Sequence, residues 1–550
     1  MSGMDAPRRG DARARAVKTG RAVAAQLTEG VAAHRAGRLD AAAAHYRAIL
    51  KAQPDHPNAL HLLGLVFHQR GKQDEALRLV ERALRLAPAN AAFANSLGLV
   101  LMAQDRLGDA EAAFARAISC DAGLAEAHNN LGNVRARLGD AAGAAPAYRR
   151  AIAARPQYAE AHANLAAALR RLGDLAGAES AVLRALDLRA DYAGALCTLG
   201  LIRHEQGTFD AALAAYDRAL ALEPELAAAR ANRSTLLLLL GRMDEGWREY
   251  EWRWRTEGFT TPRRDFAAPA WDGEPLAGRT ILIHAEQGLG SAIQFVRYAP
   301  LVAARGGRVV LECQPPLVRL FASLANAEAN AGLGGTQPVA IVAKGDPLPE
   351  CDVHAPLMSL PRLFATTLES IPNAVPYLAT EAALRRVWRD RLAAVARPRV
   401  GVVWAGNPQH HNDRNRSAPV AALAPLLTMP GVAFVDLQVG AGALQRADLD
   451  ERSAAALTAP GGDIADFADT AAIIAELDLV ISVDTAVAHL AGALAHPVWL
   501  LLPFVPEWRW LRQRSDTPWY PTMRLFRQPR PGDWDGVVAA VAEALRETVR

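Results

Sequence analysis

A 34-residue period runs through the first 240 residues and limits what this chain can fold into. Gly37, Gly71, Gly139, Gly173, Gly207 and Gly241 are separated by 34, 68, 34, 34 and 34 residues, with Asp105 in the slot the double interval skips. Pro54, Pro88, Pro156 and Pro224 keep the same period, as do Ala42, Ala76, Ala110, Ala144, Ala178 and Ala212. Four residues after these alanines stand Tyr46, Val80, Phe114, Tyr148, Val182 and Tyr216. A fixed period of this size is the mark of stacked supersecondary units. Each unit reads as two helices and a tight turn. The glycine accepts the left-handed backbone that ends the first helix. The alanine lets the second helix approach the first. The larger residue, one helical turn on, lies on the same face, and the proline ends the unit.

Leu63-Gly64, Leu97-Gly98, Leu131-Gly132 and Leu199-Gly200 add a further register. With these pairs the pattern resembles the tetratricopeptide (TPR) repeat over residues 23–250. The resemblance implies an α-solenoid whose groove takes a peptide or protein. Asn130, Asn164 and Asn232 fall at one repeat position, 34 and 68 residues apart, on the first helix of their units. Such a ladder can hydrogen-bond an extended peptide backbone without reading its side chains, and the repeat region of O-linked N-acetylglucosamine transferase resembles this. The alternative is a merely solvated polar face, since Ser96 and Thr198 interrupt the series.

The length, 550 residues, is enough for three or four folding units. A net charge of +3 makes no electrostatic case for a nucleic-acid partner. Cys120, Cys197, Cys313 and Cys351 form no CxxC pair, so they read as thiols in a reducing compartment. Residues 1–22 are basic, without the apolar core of a signal peptide, and are expected to be a disordered tail. The apolar stretch from Val487 to Pro506 is broken by His489, His496 and Pro497, so no membrane span is expected. A cytoplasmic protein follows as the default. Glu245 to Trp254 carries Trp247, Tyr250 and Trp254 at helical spacing, which predicts a capping helix. Residues 251–278 read as a linker.

From Arg279 the pattern becomes short β runs alternating with helices, restarting near residue 390. Strands are predicted at 280–284, 308–312, 400–404, 432–438, 477–483 and 497–502. Helices are predicted over 291–305, from Ser417 and from about Thr485. Two Rossmann-like domains, 279–392 on the acceptor side and 393–550 on the nucleotide side, would make a GT-B module.

Three constellations carry candidate chemistry. In Leu479-Val-Ile-Ser-Val-Asp484-Thr485-Ala486-Val-Ala-His489 a strand ends and a helix begins. The helix start suits a diphosphate, and His489 leans back toward it. Asp484 as a simple N-cap is the alternative. The loop Trp404 to Ser417 contains Asn407, Arg414 and Arg416, with Arg416 just before the predicted helix, where a cation is unfavourable unless an anion binds. Its paired His410 and His411 lack a third ligand, so no metal is expected. Glu286-Gln-Gly288-Leu-Gly290-Ser291 is a glycine-rich turn in which Ser291 would cap the next helix.

The Asp484 string resembles the sugar-nucleotide motif of the ADP-heptose:lipopolysaccharide heptosyltransferases, glycosyltransferase family 9. Over residues 245–545 the strings HAEQGLG, VVWAGNP, NDRNRS, DFADTAAIIAELDLVISVDTAVAHLAGAL and TPWYPTMRLFRQ resemble bacterial proteins that fuse TPR repeats to such a domain. The resemblance implies a metal-independent glycosyltransferase with no cofactor besides a nucleoside diphosphate sugar. Asp484, Thr485, Ala486 and His489 would hold that donor, with Arg414 and Arg416 on its phosphates. Ala486 stands where that family commonly has glycine. Ser291 stands where it usually has the aspartate proposed as the base. Serine cannot fill that role, so either Glu286 takes the acceptor's proton or the domain is a nucleotide-binding adaptor without efficient catalysis.

Overall fold

The computed structural model describes residues 9–259, 261–325, 338–410, 412–458, 460 and 464–549. They form two compact units, residues 1–203 and 204–550. The last repeat hairpin is therefore counted with the α/β half.

TPR hairpins fill the first part of the chain. The described residues up to Tyr250 form fourteen helices, beginning Arg9–Arg35 and Leu39–Ala52 and ending Ala227–Leu239 and Met243–Tyr250. The first helix starts at Arg9, so residues 9–22 of the expected tail are helical, and residues 1–8 lie outside the described residues. All six turn glycines take positive φ, from 71° to 87°, and Asp105 fills the skipped slot with φ 59°. The six periodic alanines are fully buried. Their larger partners enter notches left by a glycine on the preceding helix. A Cβ on Gly98 would lie 2.5 Å from the Phe114 ring, one on Gly132 2.5 Å from Tyr148, and one on Gly64 2.7 Å from Val80.

Met243–Tyr250 continues as the 3-10 turn Glu251–Arg255. Trp247 is buried against Trp508 and Phe295, with ring centroids 5.2 and 6.3 Å apart, and its Nε1–H donates to the Thr366 carbonyl. The segment expected as a linker is packed in part: Arg253 and Trp271 are buried, and the Trp271 N–H donates to the His354 carbonyl.

Two parallel sheets follow. The first is ordered β3-β2-β1-β4, from β1 (Thr280–His284), β2 (Arg308–Cys313), β3 (Val339–Ala343) and β4 (Val353–Pro356). The second is ordered β10-β9-β8-β5-β6-β7. Its strands are β5 (Arg399–Val403), β6 (Ala433–Asp436), β7 (Leu457–Thr458), β8 (Leu479–Val483), β9 (Val498–Leu502) and β10 (Met523–Arg527). Apolar runs such as Leu479–Val483, buried at every position, are what a sheet covered on both faces requires. The expected helix over 291–305 is three pieces, Leu289–Phe295, a 3-10 turn Val296–Tyr298, and Ala299–Ala303. Pro300 lacks the N–H of a regular helix. No helix is long and apolar enough to cross a membrane among the described residues.

Candidate functional site

In each sheet the first strand has its successors on one side and later strands on the other. The order therefore reverses between β1 and β4 in one sheet and between β5 and β8 in the other. At such a point the crossovers leave in opposite directions and open a crevice beyond the strands' carboxyl ends. Glu286, Gly288, Gly290 and Ser291 follow β1. Asn407, Arg414 and Arg416 follow β5. Asp484, Thr485, Ala486 and His489 follow β8.

Helix Leu289–Phe295 packs directly on helix Ala486–Ala493. A Cβ on Gly290 would lie 3.0 Å from His489 Cδ2 and 3.3 Å from Ala486 Cα. Gly290 is thus the place where the two helix starts touch, and Gly288 is exposed at the cap before it. Thr485, extended at φ −138° and ψ 170°, is the N-cap of the second helix and makes no side-chain capping bond. Its hydroxyl lies 3.1 Å from Ser482 Oγ instead. Asp484 is therefore not the cap, and the first-turn N–H groups have no side-chain acceptor.

His489 is buried and stacked on Trp510 at 5.3 Å. Its Nδ1 lies 2.9 Å from the Tyr520 hydroxyl and its Nε2 3.9 Å from Asp484 Oδ1. Tyr377 O–H donates to the Ile293 carbonyl and accepts from Arg297. Tyr520 O–H is left to donate to Nδ1, which puts the imidazole proton on Nε2, toward Asp484. Burial, reinforced by the fields of Arg509, Arg297 and Arg416, pushes the His489 pKa well down, so the ring is neutral.

Three arginines thus act on one imidazole. Arg416 pairs with Asp413 at 3.3 Å and lies over Gly406, where a Cβ would come within 2.6 Å of Nη2. Arg297 is buried and donates to the carbonyls of Gln294, Pro372 and Trp519 and to the Tyr377 hydroxyl. Arg509 is buried too and donates to Ser291 Oγ at 3.0 Å, to Gln294 and to Glu507.

Several expectations are corrected. Glu286 is not available as a base. Its side chain is completely buried. Both its oxygens accept from Arg253, and Oε1 also accepts from the Met358 N–H at 3.0 Å. Burial pushes its pKa up, against the opposing field of Arg253. Ser291 is not a cap: Gly288 is, and Ser291 is the third residue of the helix. No helix starts at Ser417. The helical turn is Asp413–Arg416, and Ser417 closes it, accepting from the Gly406 N–H and donating to Asp413. Asn407 is exposed and closes its own turn with the Gln409 N–H, and Arg414 reaches Glu205 at 3.5 Å. His411 lies outside the described residues.

The asparagines are engaged in a different way. Asn130 Nδ2 donates to Asn95, and Asn164 Nδ2 to Asn129 and Asn133, all at 3.0–3.1 Å. With a 34-residue period, side chains 35 apart meet across neighbouring first helices, as His61 and Ser96 also do at 2.8 Å. The amides stitch successive repeats together. Asn232 lies in the second unit, partly buried. Among the described residues no group of three or more His, Cys, Asp or Glu is placed to hold a metal ion.

Sequence reasoning missed Arg253, Arg297, Arg509 and Tyr520. Arg297 had a signal, a lone charge inside the apolar run Ala292 to Ala303. Glu507-Trp508-Arg509-Trp510 offered alternating charge and indole.

Tetratricopeptide-repeat family models match residues 22–89, 61–125, 129–193 and 197–250. The α/β half is reached by a curated relative, Protein FlbA of Caulobacter vibrioides, 31% identical over 330 residues. The match covers 57% of this chain and 54% of that protein, so the chain spans about half the length of this relative. Solved structures align with lower identity. PilF of Pseudomonas aeruginosa is 18% identical, covers 40% of this chain and 99% of its own, and has a TM-score of 0.37. YrrB, described as a TPR protein with an unusual peptide-binding site, is 19% identical with 34% and 97% coverage and a TM-score of 0.30.

Proposed function

We propose that this chain is a glycosyltransferase that takes a nucleoside diphosphate sugar at the crevice of its α/β half and a protein acceptor through its TPR repeats. One observation carries the reading. The turn after β1, the loop after β5 and the turn after β8, each at a strand-order reversal, bring Arg416, Asp484, Thr485, Ala486, His489, Gly290 and Ser291 to one place. Uncapped helix N–H groups beside Arg416 and Arg509 suit a diphosphate leaving group without a metal. The neutral His489 offers its Nε2–H as a further donor. Two Rossmann-like halves of GT-B type accommodate this arrangement. A TPR array is a protein-binding scaffold, which suits an acceptor larger than a metabolite.

A second reading has its own observation. Glu286 is committed to Arg253, and Ser291 accepts from Arg509. Neither supplies a general base, a contribution typically worth 10²–10⁴-fold. On this reading the chain is an adaptor that binds nucleotide without efficient transfer. The test is incubation of the full chain with a panel of nucleotide sugars. Release of nucleoside diphosphate above the level of a His489→Ala variant supports the transferase. Binding without release leaves the adaptor, and absence of binding removes both.

A further inference from the structure

We propose that Arg509 is the residue that selects for a diphosphate at this crevice, and that serine at 291 is what leaves its charge available; this rests on the donor-binding reading above. Arg509 stands on the short turn Trp508–Trp510, after β9, yet it reaches the helix after β1. It is bound by Ser291 Oγ at 3.0 Å, the Gln294 side chain and Glu507. Trp508 lies under the guanidinium, 4.3 Å from its centre, and Phe295 5.6 Å away. The group is therefore fixed in position before any ligand arrives.

A guanidinium has five N–H donors. Three are used, one on each nitrogen, so one on Nη1 and one on Nη2 remain. Of these three partners only Glu507 carries charge, and Glu507 faces Asp484 as well. The field of Arg509 falls on both His489 and Asp484, the residues at the uncapped helix start. Buried cations hold position only when opposite charge or hydrogen bonds compensate them. Arg509 and Arg297 together have a single carboxylate hydrogen-bonded to them among the described residues. A doubly charged ligand at the crevice supplies what is lacking. A carboxylate at 291 would instead form an ion pair with Arg509 at the distance where Ser291 now sits, and would neutralise it.

The test uses the full chain and measures binding of inorganic pyrophosphate and of ADP and UDP, with adenosine and uridine as uncharged controls. Arg509→Gln should weaken diphosphate binding about tenfold or more, as expected for losing a charge-assisted contact. Arg509→Lys should recover part of it. Ser291→Asp keeps Arg509 in place, so it separates charge from packing; it should weaken diphosphate binding similarly and leave nucleoside binding unchanged. Wild-type binding that both Arg509→Gln and Ser291→Asp retain in full would overturn the assignment of Arg509 alone. No binding of pyrophosphate, ADP or UDP by the natural chain would overturn the donor reading and the assignment with it.

Discussion

The repeat half and the α/β half are built on opposite rules of distance. In the repeats, decisive contacts fall at small, recurring separations: the Phe114 ring enters a notch at Gly98, 16 residues back, and Tyr148 does the same at Gly132. In the α/β half, the decisive contacts join residues that no local pattern connects. Arg253 meets Glu286 from 33 residues away, and Arg509 meets Ser291 from 218. Recurrence makes the first half readable, while the second half's chemistry is decided by partners that a sequence read in order does not pair.

The largest expected effect tests the long-range half. Glu286→Ala leaves the buried Arg253 without its counter-charge and should cost about 3–5 kcal/mol. The loss should appear in denaturant unfolding of the full chain as early loss of the α/β half. Normal stability with altered turnover would mean that Glu286 is catalytic after all. The matching break in the short-range half is Gly98→Val, which forces atoms into the Phe114 ring and should cost about 1–3 kcal/mol. It should lower the helical signal and leave nucleotide binding intact.

Acid should separate the halves by degree. Burial pushes His284 to about 3 and His496 to about 4, and His489 well down, in the α/β half. In the first unit, burial followed by the field of His34 takes His61 to about 4. These rings stay neutral in the folded chain, while unfolded histidine protonates near 6.5. Their contribution is complete above pH 6.5 and is lost as pH falls toward 4. The α/β half, with more such rings, should melt first as pH drops from 7 to 5. Equal sensitivity of both halves in pH-dependent hydrogen exchange would contradict this.

The smallest effect concerns the odd slot. Asp105→Gly relieves a left-handed backbone costing about 1–2 kcal/mol but removes the exposed pair with Arg137, worth at most about 1 kcal/mol. A small gain in melting temperature should follow, and a loss would show that the ion pair dominates.

The fold was largely legible. Turn positions, buried alanines and most strands follow from period and hydropathy, since burial on both faces leaves an apolar run such as Val498–Leu502. β10 hides charges at Arg524 and Arg527 within its five residues, and β4 is only four residues long and contains His354 and Pro356, so neither stood out. At the site, the strand–turn–helix units after β1 and β8 were legible because glycines and an Asp-Thr pair mark them. The role of Glu286 was not, since a carboxylate at a strand end looks the same whether it faces a substrate or a buried arginine. Ser417 failed for a related reason: a serine before an apolar stretch resembles a cap, yet here its hydroxyl closes the turn behind it.

The side-chain bonds between residues 35 apart have a consequence for how such a chain can change in length. His61 with Ser96, Asn95 with Asn130, and Asn129 with Asn164 depend on one count kept over three repeats. A single residue gained or lost within a helix would rotate everything beyond it by about 100° and separate every later pair. Removing a whole 34-residue unit would bring the next matching amides into place. The array can therefore lengthen or shorten in whole modules, like a ruler graduated in repeats.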